Sequence, residues 1–329
     1  MQKLIHSECI AAMRAMPDNS VDMILTDPPY FKVKNEAWDR QWSKPEGFLK
    51  WLDEVAAEWY RVLKPNGSLY CFASPKMGAR VECLLAERFE VLNNIRWSKP
   101  PFSTKAEMFR KSDLRSYFPT YESVIFCEHK GADNIAKGEA GYAKKCDELR
   151  GFLFEPLRAY LAGERDRAGL TTRQVAEHYQ KKTGSRTVTG MAGHWLESVQ
   201  WALPTEENYL WLRDTLNRSA KGEYLTREYE ELREEYEELR RPFSVTADVP
   251  YTDTWTFKTV QAYKGKHPCE KPLDLLRHII SSSTRPAAVV LDTFMGTGST
   301  GLACKELGRS FIGIDMGDKY FEIATERLK

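Results

Sequence analysis

The segment from Ala287 to Asp315 constrains the fold of this chain more than any other. It contains an apolar strand pattern, a glycine-rich turn, a helical pattern and a second apolar run that ends at Asp315, and together these predict a complete β-α-β unit. Only 14 of the 329 residues follow Asp315, which is too few to complete a doubly wound sheet. The missing strands must come from earlier in the chain, so the sequence predicts an α/β fold with a circularly permuted strand order.

Short apolar runs near the N-terminus are the first candidates for those strands. VDMIL at 21–25 and SLYCF at 68–72 are bounded by turn residues and separated by an amphipathic stretch from Gly47 to Leu63, which indicates a strand, a helix and a strand. The further candidate strands are Glu90 to Trp97, Ser123 to Glu128, Ala288 to Leu291 and Phe311 to Ile314. Both ends of the chain therefore contribute to one Rossmann-like sheet.

The middle of the chain has a different character. From Ala132 to Val249 the strand patterns give way to helix-forming, charge-rich sequence. We therefore predict a mainly helical insertion at residues 132–250, between a first part at 1–131 and a last part at 251–329.

A pattern near the end of this insertion predicts an amphipathic helix. Gly222 to Leu239 carries eight Glu against two Arg, so its polar face would repel phosphates. Packing of the apolar face within its own domain and an intermolecular coiled coil both remain open, because fewer than three heptads are present. The apolar positions, spaced four, three, four and three residues apart, are Leu225, Tyr229, Leu232, Tyr236 and Leu239.

Composition excludes several classes of protein. The seven cysteines form no C-x-x-C pair, which argues against a disulfide framework and a zinc site, and we expect no bound metal. The N-terminus lacks a basic stretch followed by an apolar run, and no segment approaches the ~20 apolar residues that span a bilayer. We therefore expect a cytoplasmic protein. Because the net charge is only +1, any attraction to nucleic acid must come from local basic patches.

The glycine turn predicts a nucleotide-like ligand. Gly296, Gly298 and Gly301 fit G-x-G-x-x-G, and Asp315 follows the next strand, where an acid can hold ribose hydroxyls. A nicotinamide dinucleotide would fit this pattern equally well. Asp292, however, ends the first strand, where it would repel a pyrophosphate and attract the amino group of S-adenosylmethionine. The alternative is that Asp292 only caps the turn.

The sequence Asp27-Pro28-Pro29-Tyr30 follows the first candidate strand directly. Two prolines stiffen this turn and remove two N–H donors. The Asp27 carboxylate and the Pro28 carbonyl can then accept both hydrogens of one amino group, while Tyr30 offers a ring face to the attached base. An ordinary strand-to-loop turn is the alternative, and the glycine loop in the same chain favours the functional interpretation.

The chemistry that this turn permits is direct methylation of an aromatic amine. Such an amine is a poor nucleophile, and two acceptors orient its nitrogen toward a methyl sulfonium carbon. The sequence lacks the Pro-Cys nucleophile and following Glu of ring-carbon methylation, since Cys269 follows Pro268 in a different setting. Inside a duplex the amine is inaccessible, so the base must rotate out into the pocket.

With these features the chain resembles the amino-methyltransferases of the permuted β class, in which the D-P-P-Y motif comes first and the cofactor motif last. The resemblance spans both ends of the chain and implies the fold of S-adenosylmethionine-dependent methyltransferases. The matching segments are MPDNSVDMILTDPPY, LKPNGSLY, NIRWSKP, YESVIFCEHK, HPCEKPLDLLRHII and LDTFMGTGST.

The resemblance also implies roles for individual residues. Asp27, Pro28, Pro29 and Tyr30 would hold the target base, and Asp315 would bind the ribose of the cofactor. His267 would be structural. Glu8 stands in Ser-Glu-Cys where the family has Gly-Asp-Cys, which leaves its contact with the cofactor adenine open. The expected cofactor-binding residues are Glu8, Cys9, Asp27, Lys271, Pro272, Asp292, Phe294, Gly296, Gly298, Ser299, Thr300 and Asp315.

Two regions are candidates for contact with double-stranded DNA. The basic loop from Ser98 to Arg115 suits phosphates, although it could be a solvated surface loop. The segment GLTTRQVAEHYQKKTGSRTVTGMAGHW resembles a helix-turn-helix with Thr171 or Thr172 as the cap, although it could be a helical scaffold. The predicted DNA-binding residues are Lys99, Lys105, Arg110, Lys111, Arg115, Arg173, Lys181, Lys182 and Arg186.

Taken together, the sequence predicts a site-specific adenine-N6 DNA methyltransferase. The Asp in the first motif position is typical of adenine-N6 enzymes of this class, where cytosine-N4 enzymes usually have Ser. The alternatives are cytosine-N4 or RNA methylation, a nicotinamide-dependent oxidoreductase, and a non-catalytic DNA-binding regulator. A homodimer and a cognate restriction endonuclease are partners that the sequence leaves open.

Overall fold

The computed structural model describes residues 1–33, 35–99, 115, 117, 119–130, 153–188, 190–197, 201–245, 252–261 and 269–329. The chain divides into two compact units. The first, here called the sheet unit, combines Met1–His129 with Pro242–Lys329, and the second, the helical unit, is Lys130–Arg241. Within the described residues, every helix is too short or too polar to cross a membrane.

One eight-stranded sheet organises the described part of the sheet unit. Its strands in chain order are β1 (Gln2–His6), β2 (Val21–Thr26), β3 (Leu63–Ala73), β4 (Phe89–Ser98), β5 (Tyr121–His129), β6 (Thr254–Thr256), β7 (Val289–Asp292) and β8 (Ser310–Asp315). Their spatial order is β1-β8-β7-β2-β3-β5-β4-β6. Only β5 pairs antiparallel to its neighbours.

The position of β7 beside β2 confirms the permuted order predicted from the sequence. Met23 pairs with Val290 and Ile24 with Leu291 in a parallel ladder. The C-terminal β-α-β unit is therefore joined to strands from the N-terminal segment. All six predicted strands are present. Five have bounds within one or two residues of those expected, and β3 begins at Leu63, five residues before the expected Ser68.

Two further strands, β1 and β6, were not predicted from the sequence. β1 is five residues long and pairs in parallel with β8, and β6 is three residues long and pairs with β4. Both lie at the edges of the sheet, where a strand needs few apolar residues, so their periodicity is weak.

Helices cover both faces of the sheet. Side chains alternate along each strand, so Leu69 and Cys71 of β3 pack into one apolar core while Tyr70 and Phe72 pack into the other. The first core also contains α1 (Cys9–Arg14), α2 (Pro45–Val62) and α3 (Gly78–Ala86). The second contains helices from the C-terminal segment, α9 (Leu273–Ser283), α10 (Ser299–Glu306) and α11 (Asp318–Leu328).

The helical unit has a core of its own. Its helices are α4 (Glu155–Arg167), α5 (Thr172–Thr183), α6 (Met191–Leu196), α7 (Glu206–Ala220) and α8 (Tyr229–Leu239). Leu161, Trp195, Leu212 and Leu232 are buried together. The described residues contain no strand in this unit, in agreement with the helical character predicted for it.

The amphipathic helix near the end of the helical unit is shorter than predicted. It begins at Tyr229, and Leu225 lies before it with φ of 52°. The amides of Leu225 and Arg227 donate to Glu164 and to the hydroxyl of Tyr160 instead of to helical carbonyls. Leu225 and Leu232 are both buried in the same core. The apolar positions therefore pack within their own unit, which agrees with the first of the two interpretations, packing within the same domain.

The segment that resembles a helix-turn-helix forms two helices. Thr171 caps α5 in a capping box with Gln174, and Gly184 ends the helix in the left-handed conformation, as the sequence of this turn favours. The second helix, α6, is only six residues long, and the connection from Gly184 to Gly190 is longer than the usual 3–4-residue turn.

Candidate active site

The carboxyl ends of β2 and β7 meet at one cavity. Thr26 and Thr293, which lie at these strand ends, have their hydroxyl oxygens 2.9 Å apart, and the indole of Trp59 donates to Thr293 at 3.2 Å. Ligands bind at the carboxyl ends of parallel strands in open α/β sheets. The cavity is lined by residues from both ends of the chain, including Asp27 to Tyr30, Cys269 to Lys271, Asp292 to Thr297 and Asp315 to Gly317.

Asp27 and Lys271 form a buried ion pair in this cavity. The ammonium of Lys271 lies 2.5 Å from Oδ2 of Asp27 and also donates to the carbonyl oxygen of Cys269 at 3.3 Å. Oδ1 of Asp27 is buried and has no hydrogen-bond partner among the described residues. Burial raises the pKa of Asp27, and Lys271 opposes this shift. One carboxylate oxygen is therefore anchored while the other remains able to accept a hydrogen bond.

Tyr30 is fixed at both its backbone and its hydroxyl. Its amide donates to Oδ1 of Asp39 at 2.6 Å, and its hydroxyl donates to Oε2 of Glu122 at 2.9 Å. Burial raises the pKa of Tyr30 well above its usual value, so the phenol stays protonated and can donate. The ring lines the cavity, and its orientation is set by these two contacts.

Asp39 holds the loop that follows the proline turn. It is fully buried, and its Oδ2 accepts the amide of Val33 at 2.6 Å. Phe31 and Lys32 both have φ near 60°, a conformation that costs a non-glycine residue about 1 kcal/mol or more. The buried carboxylate compensates for this strain by satisfying amides on both sides of the two residues.

Asp292 is a buried carboxylate at the end of β7. Its two oxygens accept the amide of Phe294 at 3.1 Å and the hydroxyl of Thr300 at 2.7 Å. Burial raises the pKa of Asp292 to about 7, with a smaller contribution in the same direction from Asp27. A buried acid with this environment is stabilised in its charged form by a bound cation.

Asp315 and the glycine turn form the neighbouring part of the cavity. The carboxylate oxygens of Asp315 accept the amides of Gly296 and Gly317 at 2.9 and 2.8 Å. Each oxygen keeps a second lone pair with which it could accept a ribose hydroxyl. Gly296 and Gly298 have φ of 51° and 78°, so the tight turn requires glycine at these positions.

Glu8 and two aromatic side chains complete the lining of the cavity. Glu8 caps α1, accepts the amide of Ala11 at 2.9 Å and also accepts the thiol of Cys9 at 3.1 Å. Burial alone would raise its pKa, but the hydrogen bonds from the Ala11 and Ile10 amides and from Cys9 lower it. The rings of Trp51 and Phe294 lie 5.7 Å apart at their centroids.

The cavity brings together most of the residues that the sequence singled out. The four residues of the proline turn line it, as do ten of the twelve expected cofactor-binding residues. The other two, Gly298 and Pro272, do not line it in the described part of the chain. Gly298 makes the turn before α10, and Pro272 is the residue before α9. His267 lies outside the described residues.

Several lining residues were not predicted from the sequence. Two signals were available for some of them. Met316 directly follows Asp315, and Glu270 lies inside the quoted HPCEKP motif. The segment between the proline turn and α2 carried no such signal. The additional lining residues are Ser7, Leu25, Thr26, Trp38, Gln41, Trp51, Phe72, Cys269, Glu270, Leu276, Thr293, Met295, Thr297, Met316, Gly317 and Tyr320.

The predicted DNA-binding residues have varied surroundings. Lys99 pairs with Glu122 beside the cavity, Arg173 pairs with Glu177, and Lys182 pairs with Glu207. Lys181 and Arg186 are exposed on the helical unit, and Arg115 is exposed on the sheet unit. Lys105, Arg110 and Lys111 lie outside the described residues. Contact with DNA stays a prediction for all nine.

Comparison with known proteins identifies the class of this site. Residues 21–326 match the family model of the N6 and N4 DNA methylases. The chain is 26% identical over 330 residues to the DNA adenine methyltransferase YhdJ of Escherichia coli (strain K12), covering 99% of this chain and 82% of that protein.

Solved structures show the same fold. The M1.HpyAVI complex with S-adenosylmethionine matches with a TM-score of 0.53 at 20% identity, over 100% of both chains. The PvuII DNA methyltransferase (cytosine-N4-specific) matches with a TM-score of 0.55 at 13% identity, over 100% of this chain and 86% of that one.

The family match covers both strands whose ends form the cavity, together with the proline turn and the glycine turn. S-adenosylmethionine is the methyl donor of this family. A site with buried carboxylates for a cationic ligand, next to a turn that can hold an amine, agrees with that chemistry. This chain belongs to the N6/N4 DNA methylase family and is an S-adenosylmethionine-dependent DNA amino-methyltransferase.

Proposed function

We propose that the protein methylates the N6 amino group of an adenine rotated out of double-stranded DNA. The observation that carries this proposal is the position of Asp27 and Asp292 in one cavity, with Oδ1 of Asp27 buried and unpartnered among the described residues. Asp27 can then accept a hydrogen bond from the amine, while Asp292 pairs with the ammonium group of the methyl donor. The first position of the turn is Asp27, and the relative YhdJ is described as an adenine methyltransferase, so adenine is favoured over cytosine.

The amine-holding part of the site uses the anchored carboxylate. Lys271 holds one oxygen of Asp27 and opposes the rise in the pKa of this carboxyl that burial causes, so the other oxygen can accept a hydrogen from the amine. The carbonyl of Pro28 would accept the second hydrogen. The ring of Tyr30, held by Glu122 and Asp39, would stack on the base. These contacts orient the nitrogen for in-line attack without a covalent enzyme intermediate.

The cofactor-holding part of the site lies around the glycine turn. Asp292 would pair with the ammonium group of the cofactor, and Asp315 would accept its ribose hydroxyls. Phe294, Gly296, Ser299, Thr300, Glu8, Cys9 and Lys271 would line the same space. When bound, the cofactor supplies an electrophilic methyl group on a positive sulfur. A dinucleotide is disfavoured, because its pyrophosphate would meet the buried acid Asp292.

The proposed region of sequence recognition contains most of the helical unit. We assign this role to residues 132–250 as predicted, with Arg173, Lys181, Lys182 and Arg186 as candidate phosphate contacts. The basic loop ending at Arg115 would contact the displaced strand, and Lys99 would belong to it. A homodimer and a companion restriction endonuclease remain predictions.

Analysis of the methylated product tests the proposal. Purified protein and labelled S-adenosylmethionine would be incubated in parallel with DNA and with RNA from a methylation-free host, and each nucleic acid digested to nucleosides for mass spectrometry. We expect N6-methyladenine. N4-methylcytosine would contradict the adenine assignment and leave the family intact, whereas label in RNA alone would contradict DNA as the substrate.

Cofactor binding is tested separately by thermal stability. S-adenosylmethionine or its demethylated product should raise the melting temperature, since a ligand that binds only the folded state stabilises it. Stabilisation by NAD and none by S-adenosylmethionine would contradict the assigned cofactor site. Tight binding to one DNA sequence without methyl transfer would instead indicate a regulator.

A further inference from the structure

Glu122 is a largely buried acid beside the cavity. It belongs to neither the proline turn nor the glycine turn. It is the second residue of β5, and its side chain is 14% exposed. Its carboxylate accepts the hydroxyl of Tyr30 and lies 3.4 Å from the ammonium of Lys271. Glu122 is not one of the described residues that line the cavity, so it acts on the site only through these neighbours.

Four charged groups form a chain beside the amine-holding position. Lys99 pairs with Glu122, Glu122 lies next to Lys271, and Lys271 pairs with Asp27. When both carboxyl groups are ionised, the two acids and the two lysines of this cluster have no net charge. Burial alone would raise the pKa of Glu122, but Lys271 and Lys99 outweigh burial and lower it to about 2. Glu122 is therefore ionised, and its loss would leave one uncompensated lysine in the cluster.

The charge of this cluster matters for the proposed reaction. As the nitrogen–carbon bond forms and the carbon–sulfur bond breaks, positive charge moves from sulfur to the amino nitrogen, which then releases one proton to water. A surplus lysine charge near that nitrogen would raise the barrier, because like charges repel strongly in a site of low dielectric constant.

We propose that Glu122 is a positioning residue of the methyl-transfer site, which holds the ring of Tyr30 and balances the charges of Lys99 and Lys271. This inference rests on the proposed amine-holding function of Asp27 and Tyr30. It explains why β5, which is far from both turns in the sequence, places an acid at this point in the sheet.

The first test is Glu122→Gln, which keeps the size of the side chain and an oxygen that can accept the Tyr30 hydroxyl. We expect the single-turnover rate to fall about 10- to 100-fold, the loss typical of one charge-assisted interaction. Calorimetric affinity for S-adenosylmethionine should change little, which also shows that the variant is folded. The matched control is Glu128→Gln, a buried acid on the same strand, for which we expect a rate close to that of the wild type.

The second test distinguishes charge balance from a merely structural role. Lys99→Met in the Glu122→Gln background removes the surplus charge. At saturating DNA, where a loss of DNA affinity at Lys99 does not lower the rate, the double variant should recover most of the lost single-turnover rate. A structural role predicts that the two losses multiply. A Glu122→Gln rate within about twofold of the wild type, or a double variant no faster than Glu122→Gln alone, would overturn the proposal.

Product analysis of the wild type keeps this inference separate from the proposed function. If the wild type forms N4-methylcytosine, the adenine assignment fails, yet the same variants still test Glu122. If the wild type methylates adenine and the rate losses of the Glu122 and Lys99 variants multiply in the double variant, only the proposed role of Glu122 is wrong.

Discussion

The hydroxyl oxygens of Thr26 and Thr293 lie 2.9 Å apart although 267 positions separate them in the chain. Each threonine lies beside an acid of the site, Asp27 in one case and Asp292 in the other. The contact therefore joins the start of the proline turn to the start of the glycine turn, next to the pairing of β2 with β7. Methyl transfer depends on the spacing of these two turns, because misplacement of reacting groups by about 1 Å can cost about 100-fold in rate.

Asp27→Ala should abolish methyl transfer while the affinity for S-adenosylmethionine stays nearly unchanged. The variant removes the proposed acceptor for the amine, which we expect to cost roughly 100- to 1000-fold or more in turnover. Turnover is measured with labelled cofactor and affinity by calorimetry. The surface variant Asp18→Ala serves as a control with normal turnover. Undiminished turnover of Asp27→Ala would refute the amine-holding role.

Asp292→Asn should stabilise the cofactor-free protein and weaken cofactor binding. Burial raises the pKa of Asp292 to about 7, above the value of this group in the unfolded chain. Ionisation of Asp292 therefore lowers the free energy of unfolding as the pH rises from the unfolded pKa to the folded pKa. The gain in melting temperature from the neutral amide should therefore grow from pH 4 to pH 7 and stay constant above it. Melting scans from pH 4 to 9 measure this effect, and a gain that shrinks with rising pH would contradict it.

Gly301→Ala should destabilise the sheet unit, whereas Gly163→Ala should not. A Cβ at Gly301 would lie 2.7 Å from atoms of Leu328 and Phe311, while a Cβ at Gly163 would meet nothing within 4 Å. We expect a loss of about 1–3 kcal/mol for the first variant and a gain of up to about 1 kcal/mol for the second, since both positions are helical. Urea unfolding measures both. Equal effects would contradict the close packing of α10 on β8.

Replacing Arg173, Lys181 and Arg186 together by alanine should weaken DNA binding and leave the single-turnover rate at saturating DNA unchanged. If all three contact phosphates, the slope of the logarithm of the binding constant against the logarithm of the salt concentration should become shallower by about 0.9 per residue replaced. Affinity is measured over a series of salt concentrations. Glu230→Gln with Glu234→Gln is the control, since this acidic helix should not contact phosphates. An unchanged salt slope in the triple variant would contradict the proposed interface.

Local patterns in the sequence predicted much of the fold and of the site. Runs of apolar residues marked six of the strands, and the β-α-β pattern from Ala287 to Asp315 predicted the unit that joins the N-terminal strands where β7 pairs with β2. The proline turn and the glycine turn were visible because their backbone geometry demands particular residue types. Ten of the twelve expected cofactor-binding residues line the cavity. Glu8, Cys9 and Lys271 among them belong to neither turn and were expected from the family resemblance.

Contacts between distant segments were decided only by the tertiary structure. Glu122, Asp39 and Trp51 belong to no turn motif, and their importance comes from the partners that the folded sheet brings to them. Leu225 was assigned to a helix by its spacing, yet side chains of α4 satisfy the backbone there. Sequence by itself determined the identity of the two turns, because each depends on local backbone chemistry. The charges and rings that hold these turns in place became visible only in three dimensions, because burial and pairing depend on residues far apart in the chain.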